Sequence, residues 1–429
     1  MLSYQDWSQA MLKDEAQQLE EQLSAWMQRG LKLNMTRGKP CAEQLDLSNG
    51  LTTCLDERDY RSEDKTDCRN YGGLDGLPEA RRLFADLLEI QPERVMVLGN
   101  SSLNLMYDMV VRCMLFAPPG AERPWGREEK VRFICPVPGY DRHFTVCQAL
   151  GIEMIPVPMT RQGPDMDQVE ALAAADPTIR GMWAVPVYSN PDGITYSPET
   201  CRRLAAMKTA APDFRIFWDN AYCVHHLDPD RPETVLEILA LCAEHGHADR
   251  VFVFASTSKI TWSGAGIACL AASEANLAFV RRQMTAQTIG PDKMSQLRHV
   301  RFLKDKNGVL ALMRRHAAIL APKFDLVDRY LTRELAGRGV CRYHKPGGGY
   351  FYSLYLLPGT AAETVRLAKA CGVELTPAGS TWPNGRDPED SNIRLAPSFP
   401  PMSELEMALE VLCLCIRLAG VKRLLATES

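Results

Sequence analysis

From about residue 75 to 325 the chain alternates short apolar runs with helical patterns, and this rhythm constrains the fold more than any other feature. The apolar runs are "RVMVLG" (94–99), "VRFICPVPGY" (131–140), "EMIPVPM" (153–159), "GMWAVPVYSNP" (181–191), "RIFWDNAY" (215–222), "VFVFAS" (251–256) and "GIACLAAS" (266–273). Helical spacing fills the intervals at 101–116, 141–150, 165–175, 197–209 and 232–246, and a long helical region covers about 274–336. Runs rich in Val, Ile, Phe and Trp without a polar break read as strands buried on both faces, and "VFVFAS" reads as a fully buried parallel strand. Such alternation builds βαβ units and a mostly parallel sheet covered by helices. The pattern changes at both ends. Residues 1–30 read as a helix, followed by an irregular arm, "LNMTRGKPCAEQLDL". In the tail, "GGGYFYSLYLL", "GVELTPAG" and "NIRLAPSF" read as antiparallel-type strands, and a last helix covers 402–425. The expected organisation is a helix and arm over 1–50 that join a small domain, a large domain over 51–325, and a smaller α+β domain over 326–429.

Composition removes several classes of function. Lys+Arg number 49 against 53 Asp+Glu, a net charge of −4, and no basic run exceeds a pair, so a nucleic-acid surface is not expected. No apolar stretch approaches the roughly 18 residues of a membrane span, and the start is a polar amphipathic pattern rather than a secretory signal. Fourteen cysteines include no C-x-x-C pair and several sit in apolar runs, which suits reduced, buried thiols of a cytoplasmic protein. Eight histidines, among them His225-His226 and the pair His245/His247, show no metal-ligand framework, so no metal is expected.

The chemistry gathers where the apolar runs end, because open α/β sheets bind ligands beyond the carboxyl ends of their strands. Lys259 follows "VFVFAS" among Ser256, Thr257 and Ser258. Alone, such a lysine can bind phosphate, pair with a carboxylate or form an imine. Its neighbours narrow the choice. "RIFWDNAY" ends in Asp219 and Tyr222, "WAVPVYSNP" in Asn190, and "CPVPGY" in Tyr140. "VLGNSSLN" runs from a strand into a helix start, with Ser101 and Ser102 where unpaired N–H groups and the helix dipole favour an anion. A lysine for an imine, a carboxylate for a pyridine N–H⁺, a phenol and an amide for a ring oxygen, an aromatic plate and a phosphate cradle are the needs of pyridoxal 5′-phosphate.

Nine segments carry a family resemblance, in order: "RGKP" (37–40), "YGGLDGLPEAR" (71–81), "GNSSLN" (99–104), "PVPGY" (136–140), "YSNPDG" (188–193), "DNAY" (219–222), "STSK" (256–259), "GGGYF" (347–351) and "NIRLAPSF" (392–399). The chain resembles the class I, fold-type-I pyridoxal-phosphate aminotransferases of the aspartate aminotransferase type. The resemblance implies a mostly parallel seven-stranded-type sheet sandwiched by helices, plus a smaller α+β domain. It implies that Lys259 is the imine lysine and the general acid–base, that Asp219 partners the pyridinium, and that Tyr222 and Asn190 hold the ring oxygen. Tyr140 would stack on the ring. Ser101, Ser102, Ser256 and Ser258 would lie near the phosphate, with Tyr71 reaching it from the other subunit of a homodimer. Arg394, with Asn190 and Gly38 beside it, would bind the substrate α-carboxylate.

The sequence departs from that family at one point. Relatives carry a phosphate-pairing arginine about eight residues past the lysine, where this chain has Ile267. The pattern also resembles a divergent bacterial subgroup related to the aminotransferase-like domains of MocR regulators; with no helix-turn-helix segment ahead, an enzyme is expected. Amino acid and 2-oxoacid are the expected substrates, with 2-oxoglutarate or oxaloacetate as acceptor. A dicarboxylic amino acid needs a second cation, for which Arg37 ranks first, ahead of Lys39 and Arg301. Trp382 and Tyr352 offer the alternative of an aromatic or apolar substrate. A β-lyase or synthase on the same fold, and a non-catalytic sensor that keeps the cofactor, remain open on the sequence.

Overall fold

The protein is described here by a computed structural model covering residues 3–427. Its strands, in chain order, are β1 (Leu33–Asn34), β2 (Val95–Leu98), β3 (Arg132–Val137), β4 (Glu153–Thr160), β5 (Gly163–Pro164), β6 (Ile179–Ala184), β7 (Arg215–Asp219), β8 (Val251–Ser256), β9 (Ala268–Ala271), β10 (Cys341–Arg342), β11 (Tyr352–Leu356), β12 (Val373–Glu374) and β13 (Asn392–Leu395). The central sheet has eight strands in the order β2-β9-β8-β7-β6-β3-β4-β5. Seven are the seven apolar runs; the eighth, β5, is a two-residue cap on β4. Pro156 and Pro158 within β4 remove ladder donors, which fits a strand near the sheet margin.

β3, β4, β6, β7 and β8 are parallel neighbours, whereas β9 runs antiparallel to both β8 and β2. The expectation that "VFVFAS" pairs only in parallel therefore needs correction on one side. A parallel crossover takes a dozen or more residues, usually a helix. The connection from Ser256 to Ala268 is too short for one, so the chain folds straight back and holds Lys259 in the turn.

Alternation along the strands serves two cores. On β7 and β8, Ile216, Trp218 and Val253 face one layer of helices, and Phe217, Phe252 and Phe254 face the other. A separate core joins the two ends of the chain: Tyr4, Leu12, Leu19 and Leu23 pack with Phe324, Leu331, Tyr352, Leu395 and the Leu405–Val421 face of the last helix. The helix Lys306–Leu335 serves both, giving Val309, Leu312 and Met313 to the first and Phe324, Val327 and Leu331 to the second.

Three local expectations change. The long helical region is three helices, Glu274–Gln287, Lys293–Leu303 and Lys306–Leu335, because Gly290-Pro291 breaks the first and Asp292 and Asp305 cap the next two. The helix expected at 232–246 spans only Ile238–Glu244; Pro232 stands ahead of it and the Glu237 carboxylate accepts from the N–H groups of Leu239 and Ala240. In the tail, β10, β11 and β13 form an antiparallel sheet as expected, but "GVEL" pairs in parallel with the arm, Leu33 opposite Val373.

The tail sheet and the large sheet meet at the turn after β6. The Tyr355 hydroxyl on β11 lies 2.9 and 2.8 Å from the two oxygens of buried Asp192. Burial pushes the Asp192 carboxyl from its ordinary 3.8 up to about 6. The folded state thus holds this proton more tightly than the unfolded chain, and the resulting stability, present at low pH, is lost as pH rises from about 4 to about 6. Asp192→Asn should remove that slope. In urea melts at pH 4 and pH 7, the variant's stability relative to wild type should rise with pH by about 1–3 kcal/mol; an unchanged difference would mean that Asp192 ionises freely.

Candidate active site

The carboxyl ends of β2, β3, β6, β7 and β8 open onto one rim, as strand order and direction require. There, a cavity of about 290 Å³ is lined by Ser101, Ser102, Tyr140, Asn190, Asp219, Tyr222, Ser256, Ser258 and Lys259, together with Gly38, Lys39, Ser263 and Phe351. Residues from five strand ends and the arm thus meet in one space.

Lys259 sits on the turn between β8 and β9. The turn is closed by the Thr257 N–H to the Ile267 carbonyl (2.8 Å) and by the Ile267 N–H to Thr257 Oγ1 (3.0 Å). The Lys259 carbonyl is held from behind by His225 Nε2 at 3.2 Å and the Tyr350 hydroxyl at 3.4 Å, which in turn accepts from Gln44 Nε2 at 3.0 Å. Its Nζ lies 4.8 Å from the centre of the Tyr222 ring. Burial pushes the lysine's pKa below its ordinary value, against the opposing pull of the Asp219 charge. More of the amine is then free to act as a nucleophile or to take a proton.

Asp219 ends β7 and is buried. His143 Nε2 lies 3.1 Å from its Oδ2, and because a carboxylate only accepts, that nitrogen carries the proton. The His143 ring stacks on Trp183, with centroids 4.4 Å apart and planes 7° from parallel. The second oxygen, Oδ1, is buried with no partner among the described residues. A buried carboxylate oxygen that faces a cavity unpaired calls for a donor from a ligand.

Tyr222 is buried, and burial raises its phenol well above the ordinary value, so it stays protonated and can donate. Asn190 precedes a cis proline in the turn after β6, and its Oδ1 accepts from Arg394 Nη1 at 3.4 Å, which leaves the amide N–H₂ to donate. Tyr140 opens the helix Asp141–Ala149, its ring edge-on to His143 at 5.0 Å; burial pushes its phenol up to about 12. The helix Ser102–Leu115 starts at the cavity, and its N-cap, Ser101, makes no side-chain cap bond, so its first N–H groups are uncapped. Ser256 and Ser258 hydroxyls are 3.0 Å apart. Ile267 is buried in the core beneath, and no cation takes the place of the family's arginine on that turn.

Arg394, on β13, is 8% exposed; it spends Nη1 on Asp141 (3.0 Å) and Asn190, and its Nε has no partner among the described residues. Its guanidinium lies over the Phe351 ring at 5.0 Å. The other predicted cations fall differently. Arg37 is exposed and does not line the cavity; Lys39 does. Arg301 is spent on Asp59 at 3.0 Å and the Arg61 carbonyl. Neither aromatic alternative lines the cavity: Tyr352 donates to the Phe324 carbonyl inside the tail core, and Trp382 packs at the margin of the sheet's aromatic layer. Tyr71 is 80% exposed and stands outside this chain's own cavity. Its loop is fixed by the buried ammonium of Lys293, which donates to the Gly72 carbonyl at 2.7 Å.

The family model described as aspartate amino-transferase matches residues 7–428. The chain belongs to the aspartate aminotransferase family. An aspartate aminotransferase of Corynebacterium glutamicum is 48% identical over 394 residues, spanning 92% of this chain and 91% of that protein. The crystal structure of an aspartate transaminase from the same species superposes with a TM-score of 0.97 at 44% identity, covering 99% of each chain. An α-aminoadipate aminotransferase from Thermus thermophilus, solved with N-(5′-phosphopyridoxyl)-L-leucine, shares the fold at a TM-score of 0.73 and 20% identity over 94% of this chain and 95% of that one. The protein is therefore an aminotransferase-family enzyme of fold type I, and aminotransferases of this fold use pyridoxal phosphate. Among the described residues, no helix is long and apolar enough to cross a membrane and all fourteen cysteines are free.

Two residues that matter here were not picked out from the sequence. His143 lies three residues past Tyr140, on the first turn of the helix that "PVPGY" introduces; that spacing was its only signal. His225, in a pair without a metal-ligand framework, fixes the Lys259 carbonyl. His143→Phe keeps a ring against Trp183 but removes the donor to Asp219. Turnover should fall at least tenfold while the melting temperature shifts by no more than a few degrees; steady-state kinetics beside a thermal melt will separate this from simple destabilisation.

Proposed function

We propose that this enzyme is a pyridoxal-phosphate-dependent transaminase that moves an amino group between aspartate or glutamate and a 2-oxoacid, 2-oxoglutarate or oxaloacetate. The observation that carries the cofactor reading is the unpartnered Asp219 Oδ1 in the same cavity as Lys259 and an uncapped helix N-terminus. That donor set fits the group: an acceptor for a ring N–H⁺, an amine for an aldehyde, phenol and amide donors for a ring oxygen, and hydroxyls with helix N–H groups for a phosphate. When bound, pyridoxal phosphate supplies an aldehyde that condenses with amines and a ring that withdraws electrons from the substrate Cα.

The remaining work belongs to the chain. Asp219, held by His143, keeps a proton on the ring nitrogen. Asn190 and Tyr222 donate to the ring oxygen, and Tyr140 covers one face. Ser101, Ser102, Ser256 and Ser258 bind the phosphate with the N-terminus of Ser102–Leu115, in place of a cation at Ile267. Arg394 fixes the substrate α-carboxylate with its free donors, with Asn190 and Gly38 alongside, and so orients the Cα–H bond. Lys259, as the free amine that its environment favours, would take the substrate Cα proton on its Nζ. Tyr71, exposed on a fixed loop, supports a homodimer in which each subunit lends this residue to the other's phosphate site. The similar proteins named as aspartate aminotransferases support transamination over a β-lyase or a sensor, and a second cation at the cavity, Lys39, supports an acidic substrate over an aromatic one.

Borohydride reduction of the enzyme as isolated, followed by peptide mapping, should place the phosphopyridoxyl label on Lys259, and Lys259→Ala should lose both label and turnover; a label on another lysine would refute the assignment. Arg394→Lys keeps the charge but loses the planar fork. It should lower kcat/KM by about 100-fold, roughly 2.7 kcal/mol, for acidic and apolar amino acids alike, measured across aspartate, glutamate, alanine and phenylalanine.

A further inference from the structure

Two cations line the cavity, Lys39 and Lys259, and Arg394 stands beside it against the lining residues Asn190 and Phe351; two of the three have jobs already assigned and one has none. Lys259 and Arg394 serve the reacting carbon and the α-carboxylate. Lys39 also lines the cavity, yet its Nζ makes no hydrogen bond or ion pair among the described residues; it lies 4.1 Å over the Phe399 ring. We propose that the Lys39 ammonium receives the side-chain carboxylate of a dicarboxylic amino acid or 2-oxoacid at this site. The inference rests on the transaminase reading above and names the residue that sets its substrate class.

Lys39 is held as a binding residue needs to be, by its backbone. Its N–H bonds the Arg37 carbonyl at 3.0 Å and its carbonyl accepts from Ser398 Oγ at 3.1 Å. The segment that carries Ser398 and Phe399 is pinned in turn by the buried ammonium of Lys323, which donates to the Ser398 and Pro400 carbonyls at 2.9 and 2.8 Å. The preceding residue ties the arm to the α-carboxylate site: a Cβ on Gly38 would lie 2.3 Å from Phe351 Cζ, so only glycine lets the arm lie on that ring. Arg394 lies over the same ring. Lys39 thus follows the glycine that lies against Phe351, the ring Arg394 covers, while its own ammonium lies over Phe399. A molecule with a carboxylate at each end is the ligand that would meet both cations.

The chemistry of the lysine suits the task. A point charge on a flexible stem accepts a carboxylate from several directions, unlike the rigid fork of arginine. Aspartate and glutamate differ by one methylene, and a swinging ammonium follows that difference where a fixed fork would not. An aromatic face under the ammonium holds it in place at small desolvation cost until a carboxylate arrives. Arg37, exposed like Lys39, does not line the cavity, and Arg301 is spent on Asp59.

The test compares wild-type holoenzyme with Lys39→Gln and Lys39→Arg. For Lys39→Gln, kcat/KM for aspartate, glutamate and 2-oxoglutarate should fall at least tenfold, while alanine and phenylalanine change less than about threefold. Lys39→Arg restores the charge and should recover part of the loss, unequally for aspartate and glutamate. Calorimetric binding gives a readout apart from turnover: wild type should bind succinate more tightly than butyrate, and Lys39→Gln should lose that preference. Equal losses on acidic and apolar substrates, or no loss on either, would overturn the assignment while leaving the aspartate reading intact. A wild-type enzyme with no preference for acidic substrates or for succinate would overturn the aspartate reading itself, and this proposal with it.

Discussion

A carboxylate buried at the end of a central strand sets the terms for everything around it. Asp219 is removed from water on the rim of the sheet, and a charge there is costly unless donors surround it. The fold supplies one, His143, locked flat against Trp183, and leaves the other oxygen buried without a partner among the described residues. The helix Asp141–Ala149, the aromatic layer and the strand order can all be read as arrangements that keep this half-satisfied acceptor dry and aimed. A ligand that brings a positively charged N–H completes it.

The second organising fact is that the substrate's handles come from outside the sheet. Arg394 stands on the tail sheet, Lys39 and Gly38 on the arm, and Asn190 on a turn that both sides touch. Parts that act on the cofactor are fixed by strand ends of the large sheet, whereas parts that grip the substrate come from the arm and from β13 of the tail sheet. Tyr355 and Asp192 bind these two structures together beside Asn190. Errors in their relative placement would be felt in substrate recognition before they were felt in cofactor binding.

Most of the large sheet was legible because each of its strands is an unbroken apolar run, and such runs have few alternatives. The direction of β9 was not legible from its residues; it depends on the short span that must also hold Lys259. The parallel pairing of Leu33 with Val373 was equally hidden, since two-residue strands carry no period of their own. At the site, Asp219, Tyr222, Asn190, Tyr140, Ser256, Ser258 and Lys259, which follow the ends of long strands, all line one cavity. Side chains on irregular segments were harder. Arg37 and Lys39 are separated by one glycine, and nothing in their order says which faces inward. His143 acts through Asp219 and announces itself only by position on a helix.

The helix Gln9–Met27 buries its apolar face on the helix Met402–Thr427, and Arg417 reaches Glu15 at 2.7 Å across a separation of 402 residues. During synthesis the first segment emerges long before its counterpart exists, and its leucines have nothing of their own to pack on. The central sheet, whose strands all lie between Val95 and Ala271, can assemble meanwhile. The core that joins these two helices closes only after Met402–Thr427 is made, so this long-range contact forms late. Because Arg394 stands on β13, which is also made late, the cavity gains its grip on substrate after the residues for its chemistry are already in place.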